Sequence, residues 1–241
     1  MAPIEVHGLT KRYGRVTAVD DLSFTLSPGR VTGFVGANGA GKSTTMRMLL
    51  GLTRPTAGRA TVEGTQYASL TDPLRHVGAL VDPNVFHPGR TGRNALRVIG
   101  RTARIADARV DHVLELVELT GAAHRRVRGY STGMRQRLAL AAALLGDPGT
   151  LILDEPANGL DPEGVHWLRG LLRAQATLGR TVLVSSHLLA ELAQTIDDVI
   201  IISHGRLVAH EPMSGLLARS AASSLEDVYL QLITSRVKEP S

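Results

Sequence analysis

With 241 residues and 43% hydrophobic content, the chain is long enough for one large domain, or a core with a smaller lobe, that buries a real core. It has no cysteine, which excludes disulfides and thiolate metal sites, and its longest apolar runs, Leu138 to Leu145 and Val199 to Ile202, fall far short of the ~20 residues of a membrane span. The net charge of +5 comes from dispersed arginines, with only Lys11, Lys42 and Lys238 as lysines, Arg125, Arg126 and Arg128 as the one tight group, and aromatics at 3%, so no nucleic-acid partner is expected.

The first residues, MAPIEVHGLTKRYG, lack the apolar stretch of a secretory signal, and a cytoplasmic location is the expectation. Strands are predicted at Ile4–Leu9, Leu22–Leu26 and Val31–Val35, the last running into a glycine-rich turn and a helix over Ser43–Leu50. Strand signals return at Arg59–Val62 and Val77–Val81. From about Pro83 to Asp147 the pattern is mainly helical, clearest at Ala108–Leu119 and Met134–Leu145. Beyond it come strands at Leu151–Leu153, Val182–Ser185, Val199–Ile202 and Leu207–Ala209, with helices at Pro162–Ala176 and Leu188–Thr195 between them. The tail reads as two short helices, Ser214–Ala218 and Glu226–Thr234. This alternation predicts an α/β fold, with 1–82 and 151–212 forming a core, 83–150 a helical insert and 213–241 a helical tail.

Two motifs carry chemistry. Gly36-Ala37-Asn38-Gly39-Ala40-Gly41-Lys42-Ser43-Thr44 has the full P-loop spacing between a strand and a helix. Its glycines let backbone N–H groups turn inward as an anion nest, and the helix adds its positive end. Lys42 offers a mobile charge to the β- and γ-phosphates of a nucleotide, and Ser43 offers a hydroxyl to Mg²⁺. Then Leu151-Ile152-Leu153-Asp154-Glu155 is an apolar strand ending in two carboxylates. Alternation along a strand is expected to send them to opposite faces and different tasks. Asp154 is the candidate for Mg²⁺ and Glu155 for the general base on an attacking water. Acidic residues at strand ends also serve as helix caps, so the pair gains its meaning from the P-loop.

With these motifs the chain resembles the nucleotide-binding subunits of ABC transporters over nearly its whole length. Tyr130-Ser131-Thr132-Gly133-Met134-Arg135-Gln136-Arg137 resembles the family signature usually written LSGGQ. Asn158-Gly159-Leu160-Asp161-Pro162 resembles the loop after the acidic strand, and Ser185-Ser186-His187 the switch histidine. Tyr13 stands where the family places an aromatic residue against adenine, though an edge aromatic is the plainer reading.

The resemblance implies a P-loop NTPase core with an N-terminal antiparallel β-subdomain and an inserted helical subdomain. It implies ATP and Mg²⁺ as ligands, and a head-to-tail dimer of two copies with ATP sandwiched between them. Ser131 and Gly133 then contact the γ-phosphate bound to the partner, His187 contacts it within the chain, and Asp161 transmits state across the interface. The plainer reading of Ser131 is a helix N-cap. A separate membrane permease is implied as well, with the subunit peripheral on the inner face of the cell membrane.

Departures from the family pattern are Tyr130, Thr132 and Met134 in the signature, and Asp82 where a Mg²⁺-contacting Gln is usual. An acidic residue there is similar to bacitracin- and lantibiotic-type exporters, and Ser224-Leu225-Glu226-Asp227-Val228-Tyr229-Leu230 resembles the end of drug- and antibiotic-exporting members. Export of a drug or peptide antibiotic is therefore expected, the alternative being an ABC ATPase that acts on ribosomes or nucleic acid.

Overall fold

The computed structural model describes residues 4–187, 189–220 and 224–237; the predicted helix start at Leu188 and the end of the tail, 238–241, lie outside the described residues. Among the described residues nine strands form two sheets. A three-stranded antiparallel sheet has β1 (Ile4–Tyr13) between β2 (Val16–Thr25) and β4 (Ala57–Val62). The six-stranded sheet runs β5 (Val77–Leu80), β6 (Thr150–Leu153), β7 (Thr181–Ser186), β3 (Val31–Val35), β8 (Asp198–Ser203), β9 (Arg206–Pro212). Its first five strands are parallel, and β9 returns antiparallel to β8.

Central strands of such a sheet are covered on both faces, so their sequences are almost continuously apolar. Alternation then divides each strand between two cores. Val31 and Val35, Leu151 and Leu153, Val182 and Val184, Val199 and Ile201 enter one apolar cluster. Phe34, Ile152, Leu183, Ile200 and Ile202 enter the other. The first cluster is shared with the helices α3 (Gly92–Thr102), α4 (Asp107–Leu116), α5 (Thr132–Leu144) and α6 (Pro162–Thr177). The second is completed by the antiparallel sheet and by α1 (Lys42–Leu49). Gly78 lets α5 cross β5 at close range: a Cβ there would stand 2.0 Å from the Ala143 carbonyl oxygen.

The short α2 (Pro73–His76) leads into β5, and α7 (Leu189–Ala193) links β7 to β8. The tail forms α8 (Met213–Ser220) and α9 (Leu225–Val237), the latter packed on α7 and α8. Among the described residues no helix is long and apolar enough to cross a membrane.

Many of the arginines behind the positive charge are held by carboxylates. Arg30 is paired with Asp198, Arg93 with Asp111, Arg97 with Asp107, and both Arg109 and Arg180 with Asp147. Such pairs at the surface add little stability each, and each offsets an arginine's charge locally.

Candidate active site

The P-loop leaves the end of β3 and is braced from two other strands. Gly205, in the β8–β9 turn, donates its N–H to Ala40 O at 3.0 Å and accepts from Asp20 N–H of β2 at 2.9 Å. Two glycines are demanded by that crowding. A Cβ on Gly36 would lie 2.6 Å from Ile202 O, and one on Gly41, at φ +106°, 2.6 Å from Ala18 O. Only a residue without a side chain lets the loop curl this tightly. Thr45 N–H finds its helical acceptor in Gly41 O, which leaves the amides of Lys42, Ser43 and Thr44 at the positive end of α1.

A cleft of about 200 Å³ opens over this loop. It is lined by Ala37, Asn38, Gly39 and residues 41–44, with Ala18 on one side and Glu155 facing them. Lys42 is 6% exposed and donates to Gly36 O at 2.6 Å and Ala37 O at 3.3 Å. Its Nζ lies 3.9 Å from Glu155 Oε1. Burial lowers the Lys42 pKa, and the nearby charges of Glu155 and Asp154 oppose that shift. A lysine with its fork of acceptors already arranged, glycines that no side chain could replace and a helix N-terminus make a donor set suited to polyphosphate.

The acidic pair separates for a reason other than the one expected from strand alternation. β6 ends at Leu153, and Asp154 keeps one ladder bond, donating its N–H to Leu80 O at 2.7 Å. Glu155 then takes φ +51°, in the left-handed region that non-glycine residues rarely enter. That turn, not the pleat, aims the two side chains apart. Asp154 is buried and accepts from Ser185 Oγ at 2.6 Å, while Ser185 Oγ in turn accepts the Glu155 N–H at 2.8 Å. Glu155 Oε2 meets His187 Nδ1 at 2.8 Å and the His187 N–H at 3.3 Å. One hydroxyl near the end of β7 thus links the Asp154 carboxylate to the Glu155 backbone, and the Glu155 carboxylate touches both Lys42 and His187.

Gln136 is the residue that sequence reasoning left without a role. It is 1% exposed inside α5 and donates Nε2 to Pro156 O at 2.9 Å and Glu155 O at 3.2 Å. The strained turn is therefore tied to the helix that starts at the signature. An amide on the buried side of α5, between two arginines, was the available signal, since a buried polar group must find a partner.

The signature residues lie elsewhere. Ser131 caps α5 by accepting the Met134 N–H at 3.2 Å, and Asp161 caps α6 by accepting the Gly164 N–H at 2.8 Å. Gly133 and Gly159 let these two helix starts touch: a Cβ on Gly133 would stand 3.2 Å from Gly159 O, and one on Gly159 2.4 Å from Thr132 Cγ2. None of Ser131, Gly133 and Asp161 lines the P-loop cleft. Tyr130, a departure from the family pattern, is a core residue whose hydroxyl donates to Ala122 O at 2.7 Å. Tyr13 is 51% exposed at the end of β1, with Lys11 Nζ 4.8 Å from its ring centre. Asp82 is exposed and its Oδ1 accepts the Asn84 N–H at 2.8 Å, closing a local turn after β5.

The ABC transporter family model matches residues 19–158. The bacitracin transport ATP-binding protein BcrA of Bacillus licheniformis is 40% identical over 90% of this chain and 72% of its own length. The Nod factor export ATP-binding protein I of Burkholderia lata is 37% identical over 95% of this chain and 77% of its own. A solved structure of an ATP-binding subunit of an ABC transporter superposes with a TM-score of 0.86 at 26% identity, covering 95% of this chain and 99% of that one. With a P-loop cleft, an acidic pair and a histidine already in contact, the chain belongs to the ABC transporter family as an ATP-binding, ATP-hydrolysing subunit.

Proposed function

We propose that this subunit drives export of a drug or peptide antibiotic through a separate membrane permease. The observation that carries the reading is the 40% identity to a bacitracin transport ATP-binding protein, extending over 90% of the chain. The acidic Asp82 and the Ser224–Leu230 motif of the tail support it. Cassettes of this family work as dimers with a membrane permease, and here the second copy is assigned a head-to-tail partner. The subunit then sits peripherally on the inner face of the membrane, held by the permease, with residues 83–150 as the helical part that follows it.

In this reading ATP lies along Gly36, Asn38, Gly39, Ala40, Gly41 and Thr44, with Lys42 on the β- and γ-phosphates and Tyr13 beside adenine. Ser43 and Asp154 would hold Mg²⁺, which would neutralise phosphate charge. Asp82, whose Oδ1 accepts the Asn84 N–H, would offer its second oxygen to the same ion. Glu155 accepts the proton of the attacking water as its oxygen bonds the γ-phosphorus, and ADP departs with the bridging oxygen. His187, 2.8 Å from Glu155, holds that carboxylate and the water in line. Ser131 and Gly133, at the N-terminus of α5, supply a second set of donors to the ATP bound on the partner, and Asp161 relays the partner's state.

Affinity capture from detergent-solubilised native membranes, followed by mass spectrometry, tests the transport reading. A polytopic membrane protein recovered in near-equal amount is the expected outcome. Ribosomal or nucleic-acid proteins in its place, with the bait in the soluble fraction, would overturn it.

A further inference from the structure

We infer that Tyr229, in the C-terminal helix α9, is a positioning residue for the P-loop and holds the first turn of the phosphate cradle from outside it. Its hydroxyl oxygen accepts the Ala37 N–H at 2.8 Å, a contact between residues 192 positions apart. The inference rests on the reading of that loop as the ATP site.

Ala37 is the hinge of the cradle. Its carbonyl accepts the Ala40 N–H at 3.0 Å and Lys42 Nζ at 3.3 Å, so the same residue aims the lysine and closes the loop. Ala37 is exposed, and no strand or helix bond engages its N–H. The bond from Tyr229 is what fixes the peptide on its amino side. An exposed loop amide free to turn toward water would let the acceptors of Lys42 drift as well.

The helix that supplies the bond is itself firmly seated. Leu225 and Val228 are fully buried in the main apolar cluster, and the ring of Tyr229 packs against the same cluster. Ser224 caps the helix by accepting the Asp227 N–H at 3.1 Å. α9 also packs on α7, which begins two residues beyond His187. The first turn of the P-loop and the segment after the histidine are thus referred to one strut. A hydroxyl at this position does what a plain aromatic ring cannot.

The test is made on the intact chain. Tyr229→Phe removes one oxygen and keeps the ring in the core. Loss of a single hydrogen bond predicts ATP binding weakened by about fivefold and Ala37 amide exchange faster by about tenfold, with the nucleotide-free Tm within about 2 °C of wild type. Leu230→Ser, on the exposed side of α9, should leave both readouts at wild-type values. An unchanged ATP affinity in Tyr229→Phe would overturn the inference, and so would an unchanged exchange rate.

Amide exchange in the wild-type chain gives a check that no variant's folding can spoil. Ala37 is expected to be protected to the same degree as the body of α9, and free exchange at Ala37 beside a protected α9 would refute the bond. Lys42→Ala is measured alongside. If ATP affinity survives that change, the ATP-site reading itself fails. If it is lost there and unmoved in Tyr229→Phe, only the positioning role fails.

Discussion

Around Glu155 the polar groups answer one another within the chain: Ser185 joins the Asp154 carboxylate to the Glu155 N–H, His187 and Lys42 reach the Glu155 side chain, and Gln136 secures the turn beneath. Around Ser131 they do not. There a serine and an aspartate cap their own helices, and two glycines bring the helix starts into contact. The first region is a site complete in its own side chains. The second consists of two capped helix starts in contact, outside the P-loop cleft. A helix N-terminus with its cap in place has one donor satisfied and others available to an anion.

The sharpest way to break the contrast is to disable the complete region. Glu155→Gln is expected to lower turnover by at least ~10²-fold by removing the general base, while ATP binding persists and an ATP-bound dimer accumulates on size exclusion. Retained hydrolysis would move the base elsewhere. Next in size is Ser131→Ala. Removing an N-cap should cost about 1 kcal/mol and lower Tm by about 2–4 °C. ATP affinity of the isolated chain should be unaltered, whereas turnover of the assembled dimer should fall. Equal loss of affinity in the isolated chain would mean that Ser131 serves its own cleft and that the two regions are not halves of different sites. The smallest effect is expected from Asp82→Asn, since asparagine can close the same turn on the Asn84 N–H. An undiminished Mg²⁺ dependence of hydrolysis in that variant would count against metal contact.

How far these two regions could be read from sequence follows the same division. The P-loop is local: its glycines pack against Ala18 and Ile202, and Ala37, Asn38, Gly39 and residues 41–44, neighbours in the sequence, line one cleft. The buried strands were equally plain, because Val31–Val35 and Val199–Ile202 are apolar on both faces. The antiparallel hairpin was underestimated. β1 runs on to Tyr13 and β2 starts at Val16, well before the predicted Leu22. A register shift between the Leu9–Leu22 and Lys11–Val19 pairs places Asp20 and Asp21 in a bulge while the strand continues, which periodicity does not reveal. Long-range partners were the other gap. Nothing near Gln136 announces Pro156, and nothing near Tyr229 announces Ala37, because each bond is created only by the packing of a helix on a distant loop.

The left-handed backbone at Glu155 sets a standing conflict between endurance and turnover. An L residue at φ +51° gives up about 1–2 kcal/mol that glycine would not. Selection for heat resistance alone would favour a glycine there, and selection for work would refuse it. The neighbouring bonds from Ser185 and Gln136 are what allow the carboxylate to stay. A heat-hardened descendant of this protein that keeps its motor should therefore gain its stability anywhere but at this position.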